Sequence, residues 1–351
     1  MVIPGLIVVL LMVLVLPFVF KRVEENLEAF LFLMGIAAVC ISGIMNGALI
    51  LKAFKAPWMI ATAVLVAGAL FYLLKDKFSS FMEHLFRKVP VSVVVFFTIL
   101  LLGLLSSVIT AIISSIILVE IIFLLPMQRQ QKIVICVLAC LSIGVGATLT
   151  PLGEPLATVA IAKLGKDFFY LIDLLGKYII PAVVCFALMG GVYTSVAVKR
   201  FQGQATVAGT LDEAMPEEEM EQESWRTIIV RALKIYLFVM ALTFLGEGFE
   251  PLITKYILGL SPNLLYWVNM ISAILDNATL TAAEISPQMD SLTVEAVLMG
   301  LLISGCMLIP GNIPNIISAP KLKITSTEWA KIGVPLGLAV MIIYYVILFV
   351  F

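Results

Sequence analysis

The sequence predicts an all-α, polytopic membrane protein with two inverted repeats, each containing a re-entrant hairpin and a broken transmembrane helix. Three observations predict it. Hydrophobic residues make up 62% of the 351 and charged residues only 13%, against about half and about a quarter in soluble globular chains. Apolar runs of about 20 residues, long enough to cross a hydrocarbon core, recur along the chain. Two such runs are interrupted by helix breakers or polar groups. They are Gly146-Ala-Thr-Leu-Thr-Pro-Leu-Gly-Glu-Pro155 and Ile271-Ser-Ala-Ile-Leu-Asp-Asn-Ala-Thr-Leu-Thr-Ala-Ala-Glu284.

In order, residues 1–28 read as a first span and loop. They lack the basic n-region and A-x-A site of a secretory signal. Residues 29–165 form the first repeat: spans near 29–51 and 57–74, an amphipathic piece at 75–89, a hairpin at 90–126 and a broken helix at 132–164. Residues 178–321 form the second: a span at 178–197, a linker at 200–225, a span at 226–246, a hairpin at 262–287 and a broken helix at 291–320. A last span occupies 322–351. The linker holds seven acids between Asp212 and Glu223 and reads as a solvated connection.

Lys and Arg set the orientation in the cell (inner) membrane. With the N-terminus outside, only Lys52, Lys55, Lys163, Lys166, Lys177 and Lys255 of the 22 basic residues fall outside, leaving sixteen inside. Both termini are then extracytoplasmic and the linker cytoplasmic. The two hairpins enter from opposite sides, which makes the halves inverted. A sequence echo supports this: Pro151-Leu-Gly-Glu-Pro155 against Pro310-Gly-Asn-Ile-Pro314. Inverted repeats with paired broken helices are characteristic of secondary transporters that alternate access.

Other classes find no support. No phosphate-loop pattern suggests a built-in ATPase. A single His84 argues against a His-based metal site, and five Cys without a C-x-x-C pair suggest no disulfide framework. A net charge of −1 gives no reason to expect nucleic acid. The expected surroundings are a lipid bilayer, with no enzymatic activity and no resident cofactor.

The chemistry lies at four polar interruptions. The first hairpin tip offers Ser106, Ser107, Thr110, Ser114 and Ser115. The first broken helix offers Thr148, Thr150 and Glu154. The second tip offers Ser272, Asp276, Asn277, Thr279 and Thr281, and the second broken helix Asn312 and Asn315. An Asp at the centre of a membrane helix costs roughly 2.5–3.5 kcal/mol on insertion scales, so Asp276 and Glu154 need a cation, a proton or a donor. Carboxylate, hydroxyl and amide oxygens with freed carbonyls suit Na⁺ or H⁺, while helix N-termini suit an anion. The expected ion-binding set is Asp276, Asn277, Thr279, Glu154, Thr150 and Asn312, with Asp276 and Glu154 as the Na⁺ carboxylates. Ser106, Ser107, Thr110, Thr148, Thr281, Asn315 and Ser272 support them. The plainer alternative for the Ser residues is a bond to their own helix backbone. Glu120, Glu247 and Glu284 lie near span ends, where solvation at the interface is expected, and no Arg or Lys is evident inside the cavity.

At these residues the chain resembles the ion transporter superfamily, and within it NhaD-type sodium/proton antiporters. Gly146-Ala-Thr-Leu-Thr-Pro-Leu-Gly-Glu154 is similar to their G-G-x-W-x-P-x-G-D break, and Ser272-Ala-Ile-Leu-Asp-Asn277 to their S-A-x-x-D-N tip. The nearest likeness is to a little-characterised group of cation transporters in that superfamily. Leu149 replaces the motif Trp, Glu154 its Asp, and Thr110-Ala111 stands where a first D-N pair is common, leaving one carboxylate fewer. The resemblance implies a homodimer and exchange of Na⁺ (or Li⁺) for H⁺, the two ions competing for the carboxylates. The alternative is a Na⁺-coupled permease for a carboxylate, oxyanion or neutral solute. A passive channel is a third reading, which saturable counterflow would exclude.

Overall fold

The computed structural model describes residues 2–55, 88–205, 225–256, 260–275, 277–285 and 287–350, with scattered positions between 57 and 80. Most of the span expected at 57–74, most of the piece at 75–89, most of the linker at 200–225 and Asp276 itself lie outside the described residues. Among the described residues all regular structure is helical. Five helices there are long and apolar enough to cross a membrane: Val91–Ile109, Arg129–Ala147, Tyr170–Ala197, Ile228–Leu252 and Ser326–Phe349. The chain is an all-α integral membrane protein.

The chain opens with α1 (Val2–Val19), α2 (Lys21–Glu25) and α3 (Leu27–Ser42). α3 stops well before the expected 51, because Gly43 takes a left-handed conformation at φ 75° and closes the helix. Helical backbone resumes at 47–55, started by Asn46, whose side chain accepts the Leu49 N–H at 2.8 Å. An apolar run continuous across the turn hid this stop.

Next come α4 (Val91–Ile109) and α5 (Ala111–Leu124), joined by Thr110 alone. α4 is itself long enough to cross a membrane. α5, with 14 residues, reaches about 21 Å at ~1.5 Å per residue. Then follow α6 (Arg129–Ala147), α7 (Pro155–Leu164), α8 (Tyr170–Ala205), α9 (Trp225–Gly248) and α10 (Glu250–Tyr256). α8 extends past the expected 178–197 at both ends. α11 (Pro262–Val268) runs into a 3₁₀ turn, Asn269–Ala273, and α12 (Asn277–Glu284) follows. α13 (Ser291–Gly305), a 3₁₀ turn Ile309–Gly311, α14 (Ile313–Lys321) and α15 (Ser326–Phe349) complete the chain. Asp290 caps α13 by accepting the Thr293 N–H at 3.0 Å, and hydrogen bonds from Thr293 hold its carboxyl below the usual range.

Burial follows the sequence pattern. α6 and α13 are apolar on all sides, and such helices belong in the interior. Residues 135–147 and 294–305 are buried without interruption. α4 and α8 instead keep apolar stripes outside, at Val93, Phe97, Leu101, Leu105 and Val108, and at Ile180, Val184, Leu188, Val192 and Val196. Steps of three or four put each set on one helix face, and an exposed apolar stripe of that length is a lipid-facing surface. α4, α6 and α8 pack together, as do α11, α13 and the 3₁₀ turn at 269–273, while α3 pairs with α9. Two short helices cross between the groups: α5 packs on α14, and α12 on α7.

The α5–α14 contact holds a buried ion pair. Glu120 and Lys321 contact each other with both side chains about 6% exposed. Solvation at an interface was expected for Glu120, and no interior cation was evident. Their distance in sequence hid the pairing. Glu247 is more exposed and pairs with Lys52. Removing one partner of a buried pair strands the other charge and costs about 3–5 kcal/mol. Lys321→Met should therefore lower the thermal unfolding midpoint in detergent clearly, and Lys321→Met combined with Glu120→Leu should recover most of the loss.

Candidate functional site

The site forms where α6 and α13 stop. Residues 148–154 separate α6 from α7, and residues 306–312 separate α13 from α14, seven in each case. The last residue of each interruption is extended: Glu154 at φ −153°, ψ 159° and Asn312 at φ −150°, ψ 147°. Neither makes a side-chain cap bond. Pro occupies one of the first two positions of each following helix, where its missing N–H costs nothing. Two half-helices thus begin inside the protein with their N-terminal N–H groups directed into the interruption.

Each interruption is closed against a neighbouring turn. At the first, the Ala111 N–H donates to the Gly153 carbonyl at 2.8 Å, and the Thr150 hydroxyl donates to the Ser107 carbonyl. These bonds clamp Thr110, which sits at φ 77°, ψ 150°, a region that costs a non-glycine residue about 1–3 kcal/mol. At the second, the Asn315 amide donates to the carbonyls of Leu308 at 2.8 Å and Gly305 at 3.2 Å. The Trp329 indole donates to the Cys306 carbonyl at 3.3 Å. The second interruption also meets α6: the Asn312 amide and the Cys306 thiol, 3.4 Å apart, lie against Gly144. A glycine is needed there because a Cβ would meet that amide.

Glu154 is 5% exposed and accepts the Thr148 hydroxyl. Asp276 lies outside the described residues; its neighbours Leu275 and Asn277 are 1% and 4% exposed. The Ser272 hydroxyl contacts the Asn277 side-chain oxygen and lies 3.1 Å from the Leu301 carbonyl. The group Asn277 leaves open is therefore its amide nitrogen, which is buried without a partner among the described residues. Thr279 follows on α12. Three hydroxyls bond back to their own helices, as the plainer reading has it: Ser107 to Leu104 at 2.8 Å, Ser115 to Ala111 at 2.6 Å and Thr281 to Asn277 at 2.8 Å. Ser106 instead reaches across to the Ile143 carbonyl at 3.1 Å as well as to Gly103 at 2.7 Å. Ser114 Oγ and Asn315 Oδ1 are buried without partners among the described residues.

Sequence reasoning missed four groups here. Trp329 and Cys306 gave no local signal. Asn269 was absorbed into an apolar run, and Glu284 was expected at the interface but is 1% exposed. The spacing Asn277, Thr281, Glu284 could have flagged it, since steps of four and three share a helix face. No group of three or more His, Cys, Asp or Glu side chains suited to a metal ion occurs among the described residues.

The fold and these paired interruptions define a helical integral membrane protein with a buried cluster of polar side chains. The chain belongs to the family described as protein of unknown function DUF1646, whose model matches residues 3–351. No curated protein matches it.

The packing at Gly311 is testable. A Cβ there would lie 2.6 Å from the Ser272 carbonyl. Gly311→Ala should destabilise by about 1–3 kcal/mol, as overpacking does. Gly176→Ala on α8, where the nearest atom is 3.7 Å away, should leave the unfolding midpoint unchanged or raise it.

Proposed function

We propose that the chain is a secondary active cation carrier that exchanges Na⁺ (or Li⁺) for H⁺ by alternating access. The observation that carries this is the matched pair of seven-residue interruptions, each ending in an extended polar residue, Glu154 or Asn312, at the start of a buried half-helix. Non-helical backbone at membrane depth is tolerated where it is buried or lines a cavity, and paired interruptions of this kind form ion sites in carriers. The reciprocal packing of α5 on α14 and of α12 on α7 supports two inverted repeats with hairpins at 90–126 and 262–287. Asp276 and Glu154 are the proposed carboxylates. Burial disfavours an ionised acid, and either a proton or a bound cation relieves it. Competition between the two for the same oxygens couples their movements.

A second reading is favoured by one feature, the Asn277 amide nitrogen, which has no partner among the described residues. A buried donor facing a polar interior suits a carboxylate, oxyanion or neutral solute carried with Na⁺.

Proteoliposomes containing a pH-sensitive dye separate the two. Under the exchange reading, adding Na⁺ or Li⁺ alone moves protons, and both Asp276→Asn and Glu154→Gln abolish that movement while the protein still inserts. If both variants move protons like wild type, carboxylate competition is wrong. A wild-type signal that appears only when an anion or neutral solute is added supports the second reading.

The orientation proposed from the basic residues has its own test. Reporter tags at both termini should report the extracytoplasmic face, and a tag within 205–220 the cytoplasm. A cytoplasmic terminus would reverse the assignment.

A further inference from the structure

Away from the two interruptions, α12 ends in an acid that the protein closes off from solvent. Glu284 is 1% exposed, and neither carboxylate oxygen has a hydrogen-bond partner among the described residues. Leu280 and Ile285 beside it are 0% and 2% exposed. Three and four residues further on, Pro287 and Gln288 are exposed. The acid is buried a short way inside one surface.

No cationic side chain is paired with Glu284 among the described residues. On the elements packed against α12, Glu295 of α13 takes Lys177 at 3.0 Å and the Tyr178 hydroxyl at 3.2 Å. On α9, Glu247 takes Lys52, Lys234 lies 3.8 Å from Glu28, Tyr236 donates to the Phe54 carbonyl and Arg226 is exposed. Glu250, Lys255 and Tyr256 of α10 are exposed. Lys163 of α7 is exposed and has a partner of its own, and Glu154 ahead of α7 accepts the Thr148 hydroxyl.

A buried acid without a counter-charge is stabilised in its neutral form. A dehydrated alkali ion would need several oxygens in place of its water shell, and no group of three or more His, Cys, Asp or Glu side chains suited to a metal ion occurs among the described residues. A proton needs a single oxygen. The hydroxyl one turn back agrees with a proton. Thr281 shares the helix face of Glu284 and spends its hydrogen on the Asn277 carbonyl at 2.8 Å. Its oxygen is left with lone pairs only, which suit a carboxylic O–H and repel a carboxylate.

We propose that Glu284 is a proton-binding site, carrying a carboxylic proton in this state and separate from the carboxylates assigned to the cation. Seven residues at ~1.5 Å each put it about 10 Å from Asn277 along α12. When this end of α12 opens to water, the O–H bond breaks, the proton passes to water and the carboxylate left behind is solvated. The reverse step reloads it. Its part in exchange rests on the Na⁺/H⁺ reading; its protonation does not.

The test uses purified full-length protein. Infrared spectra of wild type, Glu284→Gln and Glu284→Asp are compared across pH in detergent. At neutral pH wild type should show a protonated-carboxyl C=O band that Glu284→Gln loses and Glu284→Asp shifts. Glu284→Asp carries the assignment if Glu284→Gln does not purify. In proteoliposomes, Glu284→Gln should leave the half-saturating Na⁺ concentration unchanged and lower the number of protons moved per Na⁺. Loss of even an outer-shell partner of a bound metal weakens affinity about 10–100-fold, so a half-saturating concentration raised about ten-fold or more makes Glu284 a cation ligand and overturns the proposal. A carboxyl band that neither variant alters at any pH overturns it as well. Unaltered proton movement in Glu284→Gln overturns its part in exchange. If the band behaves as expected but wild type moves no protons in response to Na⁺ or Li⁺, the exchange reading fails while Glu284 stands as a protonated acid.

Discussion

Two seven-residue stretches of backbone lie outside α-helix in the interior of a membrane protein, and each freed carbonyl and N–H there needs a partner in the absence of bulk water. Much of the surrounding structure answers that constraint. Asn315 and Trp329 supply donors to the carbonyls of Gly305, Cys306 and Leu308. Ala111 and Thr150 tie the first interruption to the α4–α5 turn. α15 is therefore more than a terminal span: it brings Trp329, fully buried, to the second interruption.

The same constraint accounts for the glycines at the centre. Gly144, Gly153, Gly305 and Gly311 all lie where a Cβ would collide with an amide side chain or a carbonyl. Backbone must approach backbone closely for the freed groups to find partners. The strained Thr110 fits this account, since a single residue turns α4 into α5 and lets the Ala111 N–H reach Gly153. Rigid closure of the interruptions leaves a small set of groups unsatisfied. They are the Asn277 amide nitrogen, Asn315 Oδ1, Ser114 Oγ and the Glu284 carboxylate, all buried without a hydrogen-bond partner among the described residues.

The buried charges divide the helices that cross between the two packed groups. α5 and α14 are joined by the Glu120–Lys321 pair. α12 carries Glu284, which has no such pair among the described residues. Lys321 and Lys163 each follow the extended residue of an interruption by nine positions, counting from Asn312 and from Glu154.

Composition and period alone determined the helical membrane class, because 62% hydrophobic residues in spans of membrane length admit few other outcomes. Pro and Gly likewise marked the places near 151–155 and 310–314 where helices give way, since Pro lacks the N–H a helix needs and clashes with the preceding turn. The sequence also pointed to Glu154 and Asn312, which sit beside those breakers. It did not reveal that Glu120 meets Lys321, that Trp329 serves the second interruption, or that Glu284 is closed off from solvent. Those groups are buried by helices distant in the chain, and an acid near the end of an apolar run reads the same whether lipid headgroups or another helix cover it. Burial and pairing are properties of the packed assembly, and only tertiary structure decided which polar side chains were left without a partner.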